Sequence, residues 1–261
     1  MNNEKFIILT ATYNSGKYLK DWASSIIAQT YRPIDVVLAN DKSTDNTLGI
    51  VNEISIKFEK SNISFKFFNL SKKLYCGGAY ALALRKSGGG GIYFGVLDAD
   101  DMLESFACEY VAEAYKKNPE VCWIYTQHNK YNRRMDRIIK KGFCCHPGKG
   151  RSILSEEKKG KQIYSHWRTF SNRFENNKKI FSILFKNKLK CCVDKNLGYR
   201  LEESGIGMFV DKVCYRFRRR NKKEKSISFF YPLRSTKESI IKEAECRRKK
   251  IKIYPIKEYK G

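Results

Sequence analysis

The residues with the clearest chemical potential are three aspartates that follow a short apolar run. The segment IYFGVLDADDML contains Asp98, Asp100 and Asp101, with only Ala99 between the first two. Like charges this close repel one another, so we expect a cation or a hydroxyl-rich ligand between them. Hard oxygen ligands suit Mg²⁺ or Mn²⁺, which keep open positions for phosphate oxygens. The triplet therefore predicts a metal–nucleotide site; the alternative is an acidic turn in which Asp101 caps a helix that begins near Met102.

Two upstream segments follow the same plan, a strand that runs into polar residues. Residues 6–14 form an apolar run with small or polar side chains at its end, and residues 34–47 run into Asp41 and several good helix N-cap residues. Between them, residues 15–30 carry apolar side chains at helical spacing. This order predicts an α/β fold with a parallel sheet, in which ligands collect at the carboxyl ends of the strands.

These polar clusters resemble the signatures of a known family. TATYNS at 10–15, NDKSTDNT at 40–47 and LDADD at 97–101 resemble the nucleotide-sugar-binding motifs of inverting family 2 glycosyltransferases with a GT-A fold. The three motifs occur in the family's order, each after a predicted strand. The resemblance is clear over about residues 5–110.

Two later segments also resemble the family, and three positions depart from it. HWRTF at 166–170 and VDKNLGYRLEE at 193–203 are similar to family segments, the second to the acidic catalytic one. Family members usually carry Pro at the position of Ala11, Gly at Lys42 and often Glu at Val193. The first two departures predict loops of slightly different shape, and the third removes a possible helper of the catalytic base.

The resemblance implies a GT-A (Rossmann-like) fold with a mostly parallel sheet flanked by helices. We expect one domain with two halves. Residues 1–105 would bind the nucleotide sugar and residues 106–235 would bind the acceptor and carry the catalytic base. Residues 236–261 are expected to form a basic C-terminal helix or tail.

The same resemblance assigns roles around the donor. Asp98 should contact the ribose, while Asp100 and Asp101 should bind the Mg²⁺ or Mn²⁺ ion. The residues expected along the nucleotide base and ribose are Thr10, Ala11, Tyr13 and Asp41. The donor is expected to be a nucleotide-diphosphate sugar, with UDP favoured, and the acceptor a saccharide or a lipid-linked molecule.

The predicted catalytic base is Asp194, in the first turn of a helix that should end near Gly205. It would deprotonate the acceptor hydroxyl as that oxygen attacks the anomeric carbon, and a single displacement inverts the configuration there. Helix capping alone also explains a carboxylate at this position. Asp211, in a strand predicted to start at residue 207, is the alternative base.

Four further residues are candidates for donor contacts. Arg85 is expected to reach the diphosphate, the alternative being a surface arginine. His166 and Trp167 lie near the sugar pocket in the family, although Trp167 would suit a core equally well. Arg218 belongs to an arginine-rich segment at 216–220, and in the family the loop at this place folds over the diphosphate. The alternative is a solvated charged segment.

The net charge is the strongest compositional signal. The chain has 52 Lys and Arg residues against 27 Asp and Glu, a formal charge of +25. A basic surface attracts polyanions, but no recognisable nucleic-acid module is present, so no specific nucleic-acid partner is expected. Residues 236–253 place Ile240, Ile241 and Ala244 on one side of a predicted helix with a basic end, which favours an anionic membrane surface. The alternative is a solvated helix whose cations complement its own dipole.

Other global features limit the cellular context. No apolar run approaches the ~18 residues of a membrane span, and the first residues lack the features of a signal peptide. We therefore expect a cytoplasmic protein, peripheral at most on the inner face of the membrane. The nine cysteines form no CxxC pair and predict reduced structural thiols.

Two rival functions remain open from the sequence. A nucleotidyltransferase would also use clustered aspartates and Mg²⁺, but it generally needs a glycine- and basic-rich loop after the first strand, where this chain has TATYNSGKY. A glycine run at residues 87–91 precedes a strand instead of a helix, which is the wrong order for a phosphate-binding loop. The other rival is a non-catalytic, glycosyltransferase-like binding module.

Overall fold

The computed structural model describes residues 4–88, 90–142, 144–160, 163, 167–174, 181–182, 184–185, 189–220, 233–251 and 253–259. Its helices are α1 (Gly16–Ile27), α2 (Thr47–Lys60), α3 (Tyr75–Lys86), α4 (Ala107–Lys117), α5 (Ile153–Lys158), α6 (Val193–Glu202) and α7 (Leu233–Arg248). Its strands are β1 (Phe6–Thr12), β2 (Ile34–Asn40), β3 (Ser64–Asn69), β4 (Tyr93–Val96), β5 (Met102–Leu103), β6 (Trp123–Tyr131), β7 (Ile138–Lys140), β8 (Arg168–Ser171), β9 (Gly207–Arg218) and β10 (Ile256–Glu258).

The strands form one mixed sheet in the order β10-β9-β6-β8-β4-β1-β2-β3, with β5 paired to β9 and β7 paired to β6. Strands β4, β1, β2 and β3 are parallel neighbours, as are β6, β9 and β10. Strand β8 lies between the two parallel groups and is antiparallel to both β4 and β6. The fold class predicted from the sequence, a mostly parallel sheet flanked by helices, is confirmed.

Alternating side chains of β1 explain why helices cover both faces of the sheet. Phe6 and Ile8 point into one buried cluster, which includes apolar residues of α1, α2 and α4. Ile7 and Leu9 point into the other, which includes residues of α3, α6 and α7. Successive side chains of a strand face opposite sides, so a strand apolar at every position needs a layer on each face.

Several predicted boundaries differ from the structure. Residues 102–103 form β5 rather than the start of a helix, and α4 begins only at Ala107. Residues 128–162, whose sequence shows no firm period, contribute the last residues of β6, then β7 and α5. The strand predicted to start at residue 207 is present as β9, but its alternation of side chains is interrupted, because the register with β6 jumps from Val210 to Val213. A β-bulge of this kind cannot be inferred from a polar–apolar pattern.

The C-terminal segment is part of the core. On α7, Ile240 is 1% exposed and Ala244 is fully buried, both against the cluster that contains α3 and α6. Its basic end is tied to the body, since Arg248 forms an ion pair with Glu202 at 2.8 Å and Arg247 one with Glu203 at 2.6 Å. The apolar side of this helix, predicted to face a membrane, is therefore covered by the protein itself.

Candidate functional site

The site forms where β1, β2 and β4 end at the same edge of the sheet. β1 pairs with β4 up to Leu9 and Val96, and Thr10 Oγ1 donates a hydrogen bond of 2.8 Å to the Leu97 carbonyl. The loop after β1 is held against the loop after β2 because Asp45 Oδ2 accepts from Gly16 N at 3.0 Å. The carboxyl ends of parallel strands thus bring the predicted polar clusters together.

A cavity of about 480 Å³ opens at this edge, bounded also by the N-terminal turns of α3 and α6. It collects six of the residues predicted from the sequence, which are Ala11, Tyr13, Asp98, Asp100, Asp194 and Arg218. Its size lies within the range of small-molecule sites. The cavity is therefore the candidate site of the protein.

Asp98 is held by a tyrosine on α3. Tyr80 donates its hydroxyl to Asp98 Oδ1 at 2.7 Å. Burial raises the pKa of Asp98 to about 6, and the negative charges of Asp100 and, less strongly, Asp194 act in the same direction. The site thus concentrates negative charge in a poorly hydrated space, where a cation would be stabilised.

Asp100 lies beside two arginines from the end of β9. Arg220 Nε donates to Asp100 Oδ2 at 2.5 Å, and Arg218 Nε donates to the Asp100 carbonyl at 2.6 Å. Among the described residues, none donates a hydrogen bond to Asp100 Oδ1. A carboxylate paired through a single oxygen keeps coordination capacity at the other.

Asp101 has a different environment, although it follows Asp100 directly. Its side chain is 1% exposed, and both of its oxygens accept hydrogen bonds, Oδ2 from Tyr215 at 2.6 Å and Oδ1 from Arg218 N at 2.7 Å. Burial, followed by the charges of Asp100 and Asp98, raises its pKa well above the usual value. Asp101 therefore fastens the aspartate loop to β9.

Asp194 reaches the cavity from the opposite wall. It lies in the first turn of α6, which follows Cys192 in a left-handed conformation with φ of 57°. The N-terminus of α6 borders the cavity directly after Cys192. The helix dipole of α6 favours a carboxylate at this end. Asp194 is half-buried and lines the same cavity as Asp98 and Asp100.

Two other predicted residues lie behind the cavity wall and organise it. Thr10 is fully buried, and besides its bond to Leu97 it accepts from Trp22 Nε1 at 3.2 Å. Asp41 is 3% exposed and accepts from Leu74 N at 2.6 Å, just before α3 begins. Burial raises the pKa of Asp41.

Three predicted residues are not brought to the cavity. Arg85 is exposed in the last turn of α3, whose first turn borders the site. Trp167 is fully buried and stacks on Phe6 in the core, so its ring offers no face to a sugar. Asp211, the alternative base, is exposed on the bulge of β9. His166 lies outside the described residues.

The sequence reasoning missed several lining residues, among them Tyr80, Arg168 and Lys190. Tyr80 had a usable signal, because Cys76 and Tyr80 stand four residues apart on one face of a helix that starts at the site. Arg168 is 1% exposed on β8, and Gly198 on α6 leaves room for it, since a Cβ there would lie 3.2 Å from Arg168 Nε. No sequence pattern marks such a pairing.

In the part of the chain that the structure describes, no group of three His, Cys, Asp or Glu side chains is arranged to hold a metal ion. Nor does any helix among the described residues combine the length and apolar character needed to cross a membrane.

Comparison with known sequences identifies relatives. The sequence model described as Glycosyl transferase family 2 matches residues 7–189. Chondroitin synthase of Escherichia coli is 31% identical over 209 residues, covering 80% of this chain and 28% of that protein. Poly-beta-1,6-N-acetyl-D-glucosamine synthase of Staphylococcus epidermidis is 33% identical over 118 residues, covering 45% of this chain and 27% of that protein. The chain thus spans about a quarter of the length of these relatives.

Solved structures share the fold. TarS 1-349 of S. aureus in complex with UDP-GlcNAc superposes with a TM-score of 0.73 at 17% identity, covering 95% of this chain and 68% of that one. The mannosyltransferase PcManGT of Pyrobaculum calidifontis, in complex with GDP-Man and Mn2+, gives a TM-score of 0.62 at 14% identity and covers 98% and 67%. The predicted GT-A fold is confirmed. Since the family's sequence model spans well over half of the chain, this protein belongs to glycosyl transferase family 2.

Proposed function

We propose that the chain transfers a sugar from a nucleotide-diphosphate sugar to a hydroxyl acceptor, with metal dependence and inversion at the anomeric carbon. The observation that supports this most directly is the convergence of Asp98, Asp100 and Asp194 on one cavity at the ends of β1 and β4. Polysaccharide synthases among the relatives, and bound UDP-GlcNAc and GDP-Man in structural neighbours, point the same way.

In the proposed complex the nucleotide lies along the β1 end of the cavity. Ala11 and Tyr13 form the wall under the base, and the Asp98 carboxylate accepts from a ribose hydroxyl. Thr10 and Asp41 hold the two loops that shape this wall, through their bonds to Leu97 and Leu74. A UDP-sugar is the favoured donor.

The residues at the site fit a divalent ion bound jointly with the diphosphate. Mg²⁺ and Mn²⁺ sites of this type use one or two carboxylates, and phosphate oxygens and water supply the other ligands. Asp100 offers the carboxylate with an oxygen turned away from its arginine partner. The family resemblance assigns Asp101 to the ion as well, but both of its oxygens already accept hydrogen bonds, from Tyr215 and Arg218 N, so the proposal rests on Asp100. When bound, the ion would stabilise the charge on the leaving diphosphate.

The reaction then needs one protein base. Asp194 accepts the proton of the acceptor hydroxyl, and the oxygen forms a bond to the anomeric carbon. The bond from that carbon to the diphosphate oxygen breaks on the opposite face, and its electron pair leaves with the nucleotide diphosphate. Arg220, next to Asp100, is placed to orient that leaving group.

The acceptor and the cellular location are further parts of the proposal. We propose a saccharide or lipid-linked acceptor and a cytoplasmic enzyme that is peripheral at most on the inner face of the membrane. The buried face of α7 does not support a membrane contact through that helix. Attraction to an anionic surface would have to come from the exposed cations instead.

Nucleotide binding and turnover test the proposal. Thermal shift with UDP and GDP, each with and without Mn²⁺, should show stabilisation that requires the metal, and UDP-GlcNAc should release UDP. Asp100→Ala should abolish the metal-dependent part of the thermal stabilisation. Asp211→Ala removes an equal charge outside the cavity and should leave that stabilisation unchanged. If the protein neither binds nucleotide nor releases UDP, the proposal is wrong and the rival function, a non-catalytic glycosyltransferase-like binding module, is favoured.

A further inference from the structure

A second cavity of about 1090 Å³ adjoins the first and is strongly basic. Its lining includes Lys17 and six arginines against only two acidic residues, Asp21 and Asp136. The cationic side chains come from three places, the start of α1, the turn between β6 and β7, and the end of β9. We call this cavity the basic cleft.

The positive charge of the basic cleft is only partly neutralised. Asp21 is paired with Arg218 at 2.8 Å, and Arg220 is paired with Asp100 of the first cavity. Arg134 and Arg137 are exposed, and among the described residues neither enters an ion pair. Several cations facing one concave space make an electrostatic site that concentrates anions.

The turn that carries these arginines is structurally defined. Asn132 N donates to Arg137 O at 2.9 Å, Asn132 Oδ1 accepts from Asp136 N and Arg137 N at 3.3 Å each, and Met135 is 9% exposed. An asparagine that caps its own turn and a buried methionine fix the loop on the molecule. The turn thus holds the backbone from which these arginine side chains extend beside the cleft.

The basic cleft and the first cavity are joined by the end of β9. Arg218, Arg219 and Arg220 line both. The guanidinium groups of Arg218 and Arg220 lie over the ring of Tyr18, with centroid distances of 4.8 and 5.5 Å. A chain lying in the basic cleft would therefore lead directly to the carboxylates of the first cavity.

We infer that the basic cleft binds the acceptor, and that the acceptor is a chain bearing repeated phosphate or carboxylate groups. This inference rests on the proposed function, because it places the anionic groups next to the hydroxyl that receives the sugar. An isolated phosphate would need one or two cations, whereas here cations are spread over a concave cleft. A bilayer would need a convex or flat surface, and the cations line a cavity instead.

Binding of defined anionic chains tests the inference. The probes are fluorescent polyphosphate and a hyaluronan decasaccharide, which distinguish phosphate from carboxylate, with a chitin oligosaccharide as the neutral chain. The test variant is Arg134→Gln/Arg137→Gln. The control, Lys57→Gln/Lys60→Gln, removes the same charge from exposed positions at the far end of α2.

At least one anionic probe should bind the wild type, and the neutral chain should bind at least tenfold more weakly. The arginine variant should raise the Kd about tenfold or more, against less than twofold for the control. Its slope of log K against log salt should also become shallower by about one to two, as expected when two anion contacts are lost.

Three results would overturn the inference. The first is an equal loss of affinity in both variants, which would indicate attraction to the net charge alone. The second is equal affinity for the neutral chain, and the third is no binding of either anionic probe. Vesicles with 30% anionic lipid serve as a further arm. A preference for them over both chains would also overturn the inference, because it would assign the surface to a membrane. UDP binding by the wild type is measured in parallel, so that failure of the proposed function is told apart from failure of this inference.

Discussion

Arg220 Nε lies 2.5 Å from Asp100 Oδ2, so a guanidinium holds one oxygen of the carboxylate that we propose as the metal ligand. Both side chains are largely buried, with 23% and 17% of their surfaces exposed. A divalent ion that takes this carboxylate must compete with the arginine, at least in part. Arg220, at the cationic end of β9, thus partly neutralises the carboxylate that we propose to bind the metal.

Arg220→Gln is expected to tighten the binding of Mn²⁺ in the absence of nucleotide. Removing a partly buried ion pair worth about 1 kcal/mol should lower the Kd for Mn²⁺ about fivefold. Electron paramagnetic resonance of free Mn²⁺ measures the affinity directly. Arg219→Gln is the control, because Arg219 is exposed and enters no ion pair among the described residues. Weaker Mn²⁺ binding in Arg220→Gln, or the same change in both variants, would show that the pair does not compete with the metal.

Asp98→Asn is expected to stabilise the fold at neutral pH. The pKa of Asp98 is raised to about 6 by burial, so the folded state holds its proton more tightly than the unfolded state does. The ionised side chain therefore costs stability above pH 6, by about 3 kcal/mol, and the cost disappears as the pH falls toward 4. Urea unfolding of wild type and variant at pH 8 and pH 4 checks this. A gain that does not depend on pH would mean that the Asp98 charge is not the cause.

Asp101→Ala is expected to act in the opposite direction. Both oxygens of Asp101 accept hydrogen bonds, from Tyr215 and from Arg218 N, and an alanine would leave the buried Arg218 N–H without the acceptor that it has in the wild type. Loss of a buried acceptor of this kind costs about 1–3 kcal/mol. The same urea titration gives the sign for two carboxylates three residues apart. Stabilisation by Asp101→Ala would contradict the structural role of this side chain.

The contrast between these aspartates shows what the sequence could and could not provide. The strand that precedes them and their position at the sheet edge follow from local pattern, since a short apolar run ends where the carboxylates begin. Their separate roles depend on β9, which lies more than 100 residues away and buries Asp101 through Tyr215 and Arg218. No local pattern encodes that pairing.

The placements of Trp167, Asp211 and Arg85 have similar explanations, and for Trp167 and Arg85 the structure shows the alternatives left open by the sequence, a core side chain and a surface arginine. Trp167 stacks on Phe6 because β8 inserts next to β4, and this antiparallel insertion gives no periodic signal of its own. Asp211 points outward because of a bulge in β9. Arg85 was placed by its charge alone, whereas the direction of α3 takes it away from the strand ends. Residue type is a weak guide wherever long-range strand pairing decides orientation.

Arg248→Ala is expected to destabilise the protein by about 3 kcal/mol. Arg248 is 10% exposed at the side chain and is paired with Glu202, which is 1% exposed, so its removal leaves a buried carboxylate without its partner. Burial already raises the pKa of Glu202, and the arginine opposes that shift. Lys249 is the next residue along the chain and is exposed, so Lys249→Ala should change the free energy of unfolding by less than about 0.5 kcal/mol. Equal effects of the two substitutions would indicate that the end of α7 is solvated and does not stabilise the fold.

Asp194→Asn is expected to lower turnover by roughly 10²–10⁴-fold, the usual loss when a general base is removed. Asparagine keeps the size and position of the side chain at the start of α6, so UDP affinity should stay within about twofold of the wild type. The measurement is UDP release from UDP-GlcNAc at saturating acceptor, with UDP titration of each variant. Asp211→Asn is the matched control, because this exposed carboxylate lies outside the cavity and its loss should leave turnover unchanged. Near-normal turnover in Asp194→Asn with a large loss in Asp211→Asn would move the base to β9. That result would require the bulge to refold toward the cavity when substrate binds.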